Sequence, residues 1–115
     1  MSQSIRVLYR QTKGRTRHNF NWAPITERSA VIVTAAEWSH GDGGPDPDSV
    51  VFSPLSGRSH LGQADVFVTN IGVHGPEPGV GGVEFHLHAN HDFPIDVVVT
   101  ISVLDEIPDR MWVKA

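Results

Sequence analysis

Residues 82–104 read GVEFHLHANHDFPIDVVVTISVL, and this stretch decides the fold. In an extended chain successive side chains point to opposite faces, so Val83, Phe85, Leu87 and Ala89 share one face and Glu84, His86 and His88 the other. The run from Asn90 to Pro94 has turn chemistry. Ile95–Leu104 is extended again and rich in β-branched residues, which suit a pleated, half-buried surface. The pattern predicts an antiparallel hairpin with its odd-numbered side chains inward. Val97, Val99, Ile101 and Val103 are then buried together and face Phe85 and Leu87 across the hairpin.

The same signal recurs outward from this pair. Ser4–Arg10, Arg17–Trp22, Ala30–Trp38, Ser49–Ser53, Ala64–Ile71 and Arg110–Lys114 each read as a short strand, the last as an added edge. Ala30–Trp38 is apolar enough to suggest cover on both faces. Gly14, between the first two strands, suits a hairpin turn. No stretch keeps an apolar 3.6-residue period free of Gly or Pro, so helices longer than a turn are not expected. Seven to eight short strands, punctuated by eleven Gly and eight Pro in 115 residues, predict an all-β fold. The expected architecture is a single-domain antiparallel β-sandwich, Ig-like or jelly-roll-like. Phe20, Phe52, Phe67, Phe85 and Phe93 are assigned to its core or rim. Trp22, Trp38 and Trp112 fall at strand ends, where a ring caps the core or stands exposed.

Composition excludes several classes. Hydrophobic residues make up 39% and charged residues 19%, a globular balance. With no cysteine, disulfides, thiol catalysis and thiolate metal sites are ruled out. No apolar run approaches the ~20 residues that span a bilayer, and Met1–Arg10 lacks the apolar core of a signal peptide, so a cytoplasmic chain without a membrane span is expected. Charge is uneven. Residues 1–28 hold six cations against Glu27 alone, whereas residues 29–115 hold three cations against twelve carboxylates. Such polarity can pair copies of one chain as a homo-oligomer.

Four clusters carry possible chemistry. On the polar face after Gly82, a His86-x-His88 pair can bring two imidazoles to one divalent metal ion, with His91 or Asp92 from the following turn completing the set. His86, His88 and Asp92 resemble the first half of the cupin signature. That resemblance implies Fe, Mn or Zn held inside a β-barrel, by a cupin-like metal-binding protein or enzyme. The second half of the signature is missing, because the 23 residues after Asp92 contain neither Gly nor His. Asp42, Asp46 and Asp48 lie in a Gly-rich loop where carboxylates and carbonyls can converge on calcium, although the ordered EF-hand spacing is absent. The basic stretch Arg10–His18, with Phe20 and Trp22 nearby, has cations and aromatics that suit phosphates and bases. An overall pI of 5.9 argues against nucleic acid as the partner. Finally, Trp38, His40 and His74 flank the two longest polar loops, Ser39–Asp48 and Gly72–Gly82, and are the expected ligand contacts.

Catalytic motifs are not marked. Gly79-Val-Gly81-Gly82 precedes a strand, not the helix N-terminus that holds a pyrophosphate. Gly57–Gly62 has the wrong spacing for a nucleophile elbow. The expected function is therefore a non-catalytic binding module that recognises a glycan, peptide or partner protein through its loops. The alternatives are an assembly subunit of a homo-oligomer and the cupin-like metal site.

Overall fold

Alternating β-branched, aromatic and polar residues build seven strands in the computed structural model, which describes residues 2–40, 57–76, 79–108 and 110–115. They are β1 (Gln3–Thr12), β2 (Gly14–Asn21), β3 (Ser29–His40), β4 (Gly57–His60), β5 (Asp65–His74), β6 (Gly82–Asn90) and β7 (Ile95–Glu106). Two antiparallel sheets pack as a single-domain sandwich, one ordered β1-β7-β3-β4 and the other β2-β6-β5. Among the described residues, no helix is long and apolar enough to cross a membrane.

The inward faces follow the alternation. Val83, Phe85, Leu87 and Ala89 of β6 meet Val97, Val99, Ile101 and Val103 of β7 in one buried cluster that includes Val33 and Ile25. Partly buried Ile5, Val7, Tyr9, Phe20, Val66 and Val68 close its sides. Removing this apolar surface from water, at roughly 25 cal/mol per Å², is the main force joining the sheets.

Strand pairing departs from expectation at both predicted hairpins. β6 and β7 do not pair: the turn between Asn90 and Ile95 carries the chain from one sheet to the other. β6 hydrogen-bonds with β2 and β5, β7 with β1 and β3, and the two face each other across the core. Likewise β1 and β2 lie in different sheets. Gln11 (φ 52°) and Gly14 (φ 71°) adopt left-handed backbone there, turning the chain through a corner between sheets. Both corners preserve the inward set while changing the neighbours.

Three smaller corrections follow. β3 is not covered on both faces, since Val33 is buried but Ile32 is 50% exposed. Arg110–Lys114 forms no strand. Of the rings assigned to the core or its rim, Phe67 and Phe93 are exposed and lie outside the core. The expected strand Ser49–Ser53, with Phe52, lies outside the described residues.

The two ends of the sandwich differ. At one end Trp22 N–H donates to the Gly81 carbonyl (2.9 Å), Ile107 N–H to the Arg28 carbonyl (3.0 Å), and Ile25 is buried beneath. The Asn90–Ile95 and Thr12–Gly14 corners form the other.

Candidate functional site

Antiparallel register turns the outer face of the three-stranded sheet into rows. Arg15, His88 and Phe67 lie side by side across β2, β6 and β5, and Arg17, His86 and Thr69 form the next row. Asn19, Glu84 and Gly72 follow, then Asn21, Gly82 and His74. Glu84, His86 and His88 thus share the outer face, as the alternation requires. Each is half-buried by its cross-strand neighbours. Arg17 Nη2 lies 3.1 Å from Glu84 Oε2. His74 Nε2 donates to Asn19 Oδ1 (2.8 Å), and Asn19 Nδ2 donates to Asn21 Oδ1 (3.0 Å).

The predicted site residues do not form one cluster. His86 and His88 lie on an open sheet face, not inside a barrel. His88 Nε2 is 2.8 Å from the Thr69 hydroxyl, and His88 stacks on Phe67. His91 sits in the corner after β6, its Nδ1 accepting the Phe93 N–H (3.2 Å), and Asp92 is exposed beside it. Among the described residues, no group of three His, Asp or Glu side chains is arranged to hold a metal ion. Asp42, Asp46 and Asp48 lie outside the described residues. Trp38 and His40 end β3 at the corner end of the sandwich, whereas His74 pairs with Gly82 at the opposite end of β6. The Trp38 ring is buried over Gly57, where a Cβ would collide with it. Of the loop Gly72–Gly82, the first three residues belong to β5.

Three polar side chains, His18, Glu37 and His60, lie on inward-facing positions, where alternation places them but composition does not. His18, expected in a basic hairpin, faces Tyr9 (ring centroids 4.2 Å) and Phe85 (5.7 Å), with Nε2 2.7 Å from the Thr16 hydroxyl. Burial lowers the His18 pKa below 6.5 and raises that of the Tyr9 phenol above 10.0, since low dielectric disfavours each charged form. Glu37 and His60 are cross-strand partners on β3 and β4. Glu37 Oε2 and His60 Nε2 are 3.5 Å apart, an ion pair while His60 is protonated but not a hydrogen bond. Glu37 Oε2, His60 Nδ1 and Trp38 Nε1 are buried without a hydrogen-bond partner among the described residues.

The strand edges provide the sharpest contrast. An edge strand presents unpaired backbone N–H and C=O groups, and proteins guard such edges with charge, Pro, bulges or brevity. β1 carries Arg6 and Arg10, β2 carries Arg15 and Arg17, and β4 spans only Gly57–His60. β5 carries no Lys, Arg or Pro. Its register breaks only after Thr69, where Asn70 has φ 56°, so Asp65–Thr69 is a regular run. Val66 and Val68 on the inner side of this run are only partly buried. β3 packs over β5, and β4 lies beyond β3. β4 is thus the outermost strand of the larger sheet on the side where β3 packs against β5.

Phe67 sits at the centre of that run. Its ring and the His88 ring are 4.3 Å apart and 7° from parallel. This matches the ~4.8 Å strand spacing, so both rings stand upright on the sheet, stacked along the hydrogen-bonding direction. One face of Phe67 is taken by His88. The residue is 41% exposed, and among the described residues β5 pairs with no strand on the side away from β6. The sequence hides this edge because Phe67 reads as core or rim, and which strand becomes an edge is not a local property. Comparison with protein-family models, curated proteins and solved structures finds no match to this chain.

Proposed function

We propose that the chain is a non-catalytic, protein-binding module that takes an extended peptide segment along the Asp65–Thr69 edge of β5. The exposed Phe67 ring, stacked on His88 beside an edge that carries no Lys, Arg or Pro and pairs with no further strand among the described residues, supports this reading. Strand addition draws affinity from main-chain hydrogen bonds and selectivity from alternate side chains. A fitting peptide has apolar residues at the positions beside Val66 and Val68, an aromatic beside Phe67, and a cation near Asp65. The reading also moves recognition from the loops to a sheet edge, supported by a rigid neighbouring strand.

The test is fluorescence anisotropy with the labelled pentapeptide Lys-Val-Trp-Val-Lys and a copy N-methylated at alternate amides. The unmethylated probe is expected to bind, and methylation to abolish binding by removing ladder donors while keeping every side chain. Phe67→Asp should weaken binding at least about tenfold, a loss of roughly 1.4 kcal/mol. Equal binding of the two probes would defeat the reading.

A further inference from the structure

We infer that the natural occupant of this edge is the segment Arg110–Lys114 of a second copy of the chain, so that the protein self-associates by strand exchange. The inference rests on the edge-binding reading above and names its partner.

The segment after β7 is anomalous. Met111, Trp112 and Val113 are 85%, 95% and 86% exposed, three consecutive large apolar side chains with nothing packed on them among the described residues. Contiguous apolar exposure of this kind marks an interaction site. The sequence also alternates. In an extended conformation Met111 and Val113 share one face, while Arg110, Trp112 and Lys114 share the other.

Complementarity selects β5. The segment carries Arg110 and Lys114, so pairing with β1 or β2 would set cations against Arg6, Arg10, Arg15 or Arg17. β5 offers Asp65 and no cation but His74 at its far end. Centring Trp112 beside Phe67 matches the two runs residue for residue. Met111 and Val113 then extend the inner row begun by the partly buried Val66 and Val68. Trp112 continues the Arg15–His88–Phe67 row beyond Phe67. Asp65 meets Lys114 if the added strand is antiparallel and Arg110 if it is parallel, so a cation lies beside it either way. The added strand turns a four-plus-three sandwich into four-plus-four.

Geometry makes the exchange intermolecular. β7 spans Ile95–Glu106, a length of roughly 36 Å at ~3.3 Å per residue. Its end is fixed by the Ile107–Arg28 hydrogen bond at the sandwich end far from Asp65. Arg110 and Lys114 lie four and eight residues beyond Glu106, reaches of about 14 and 29 Å at most, so neither spans the length of β7 back to Asp65. The segment cannot lie along the Asp65–Thr69 run of its own chain.

Sedimentation velocity and multi-angle light scattering of the full chain over a hundredfold concentration range test this. The wild type should move from 12.6 kDa toward at least twice that mass as concentration rises. The exposed triple substitution Met111→Ser, Trp112→Ser and Val113→Ser should keep its melting temperature and remain monomeric. Asp65→Lys should weaken association at least tenfold, and adding Arg110→Glu with Lys114→Glu should restore it. A wild type that stays monomeric, or an oligomer whose mass the triple substitution leaves unchanged, overturns the inference. The pentapeptide probe separates the two readings. If it binds while either overturning result holds, the edge still binds peptides and only the self-partner falls. If the monomeric triple variant does not bind it, the edge reading falls as well.

Discussion

Phe67 and His88, on neighbouring strands of the smaller sheet, stack face to face at 4.3 Å on the solvent side, with Thr69 Oγ1 fixing the imidazole from below. Two upright rings at strand spacing form a rigid ladder rung, which holds the Phe67 ring in one orientation. Aromatic pairs of this kind contribute about 0.5–1.5 kcal/mol beyond the area they bury. A double-mutant cycle of Phe67→Ala and His88→Ala, followed by urea unfolding, should give a coupling energy in that range. Additive single effects would mean the stack does not hold the ring.

The core assignment has a severe test at Val99, which is fully buried between the sheets. Val99→Asp should leave no cooperative thermal transition, because an unpaired buried carboxylate costs several kcal/mol against a total stability of ~5–15 kcal/mol. On the wet face of the same sheet, Ile32→Thr should change stability by about 0.5 kcal/mol or less. Circular dichroism melts distinguish the two faces directly.

Gly81 and Gly72 should respond oppositely to Ala. A Cβ at Gly81 would overlap the Ile25 carbonyl oxygen, in backbone that cannot retreat without breaking the turn at Trp22. A Cβ at Gly72 meets nothing within 4 Å. Gly81→Ala should cost about 1–3 kcal/mol, whereas Gly72→Ala should be neutral or stabilising by up to about 1 kcal/mol, since it restricts the unfolded chain. Chemical denaturation of both variants checks the pair.

His18 links stability to pH. Its folded pKa lies below the ordinary value of 6.5, so just below that pH the unfolded chain binds more protons than the folded one. Stability attributable to His18 is complete above about pH 6.5, falls as pH drops toward the folded value, and is constant below it. His18→Phe should flatten this part of the stability profile while retaining the contacts to Tyr9 and Phe85. An unchanged slope between the wild type and the variant would show that other groups produce it.

The faces of the strands were legible in the residues alone. Val83, Phe85, Leu87, Ala89 and Val97, Val99, Ile101, Val103 are buried because a period of two is a local property, set by backbone geometry and satisfied only when the apolar set turns inward. Adjacency in sequence misled wherever it was read as pairing. The chain switches sheets at Thr12–Gly14 and again after Asn90, so β1 pairs with the distant β7, and β6 pairs with the distant β2 as well as with β5 beside it in sequence. Packing decided that, since two sheets must cover each other and a corner can serve where a hairpin was expected. The same non-local choice left β5 at an edge, stood Phe67 upright beside His88, and kept Trp112 off the sheet. Side-chain alternation is written residue by residue, whereas the identity of a strand's neighbour depends on the burial of the whole molecule.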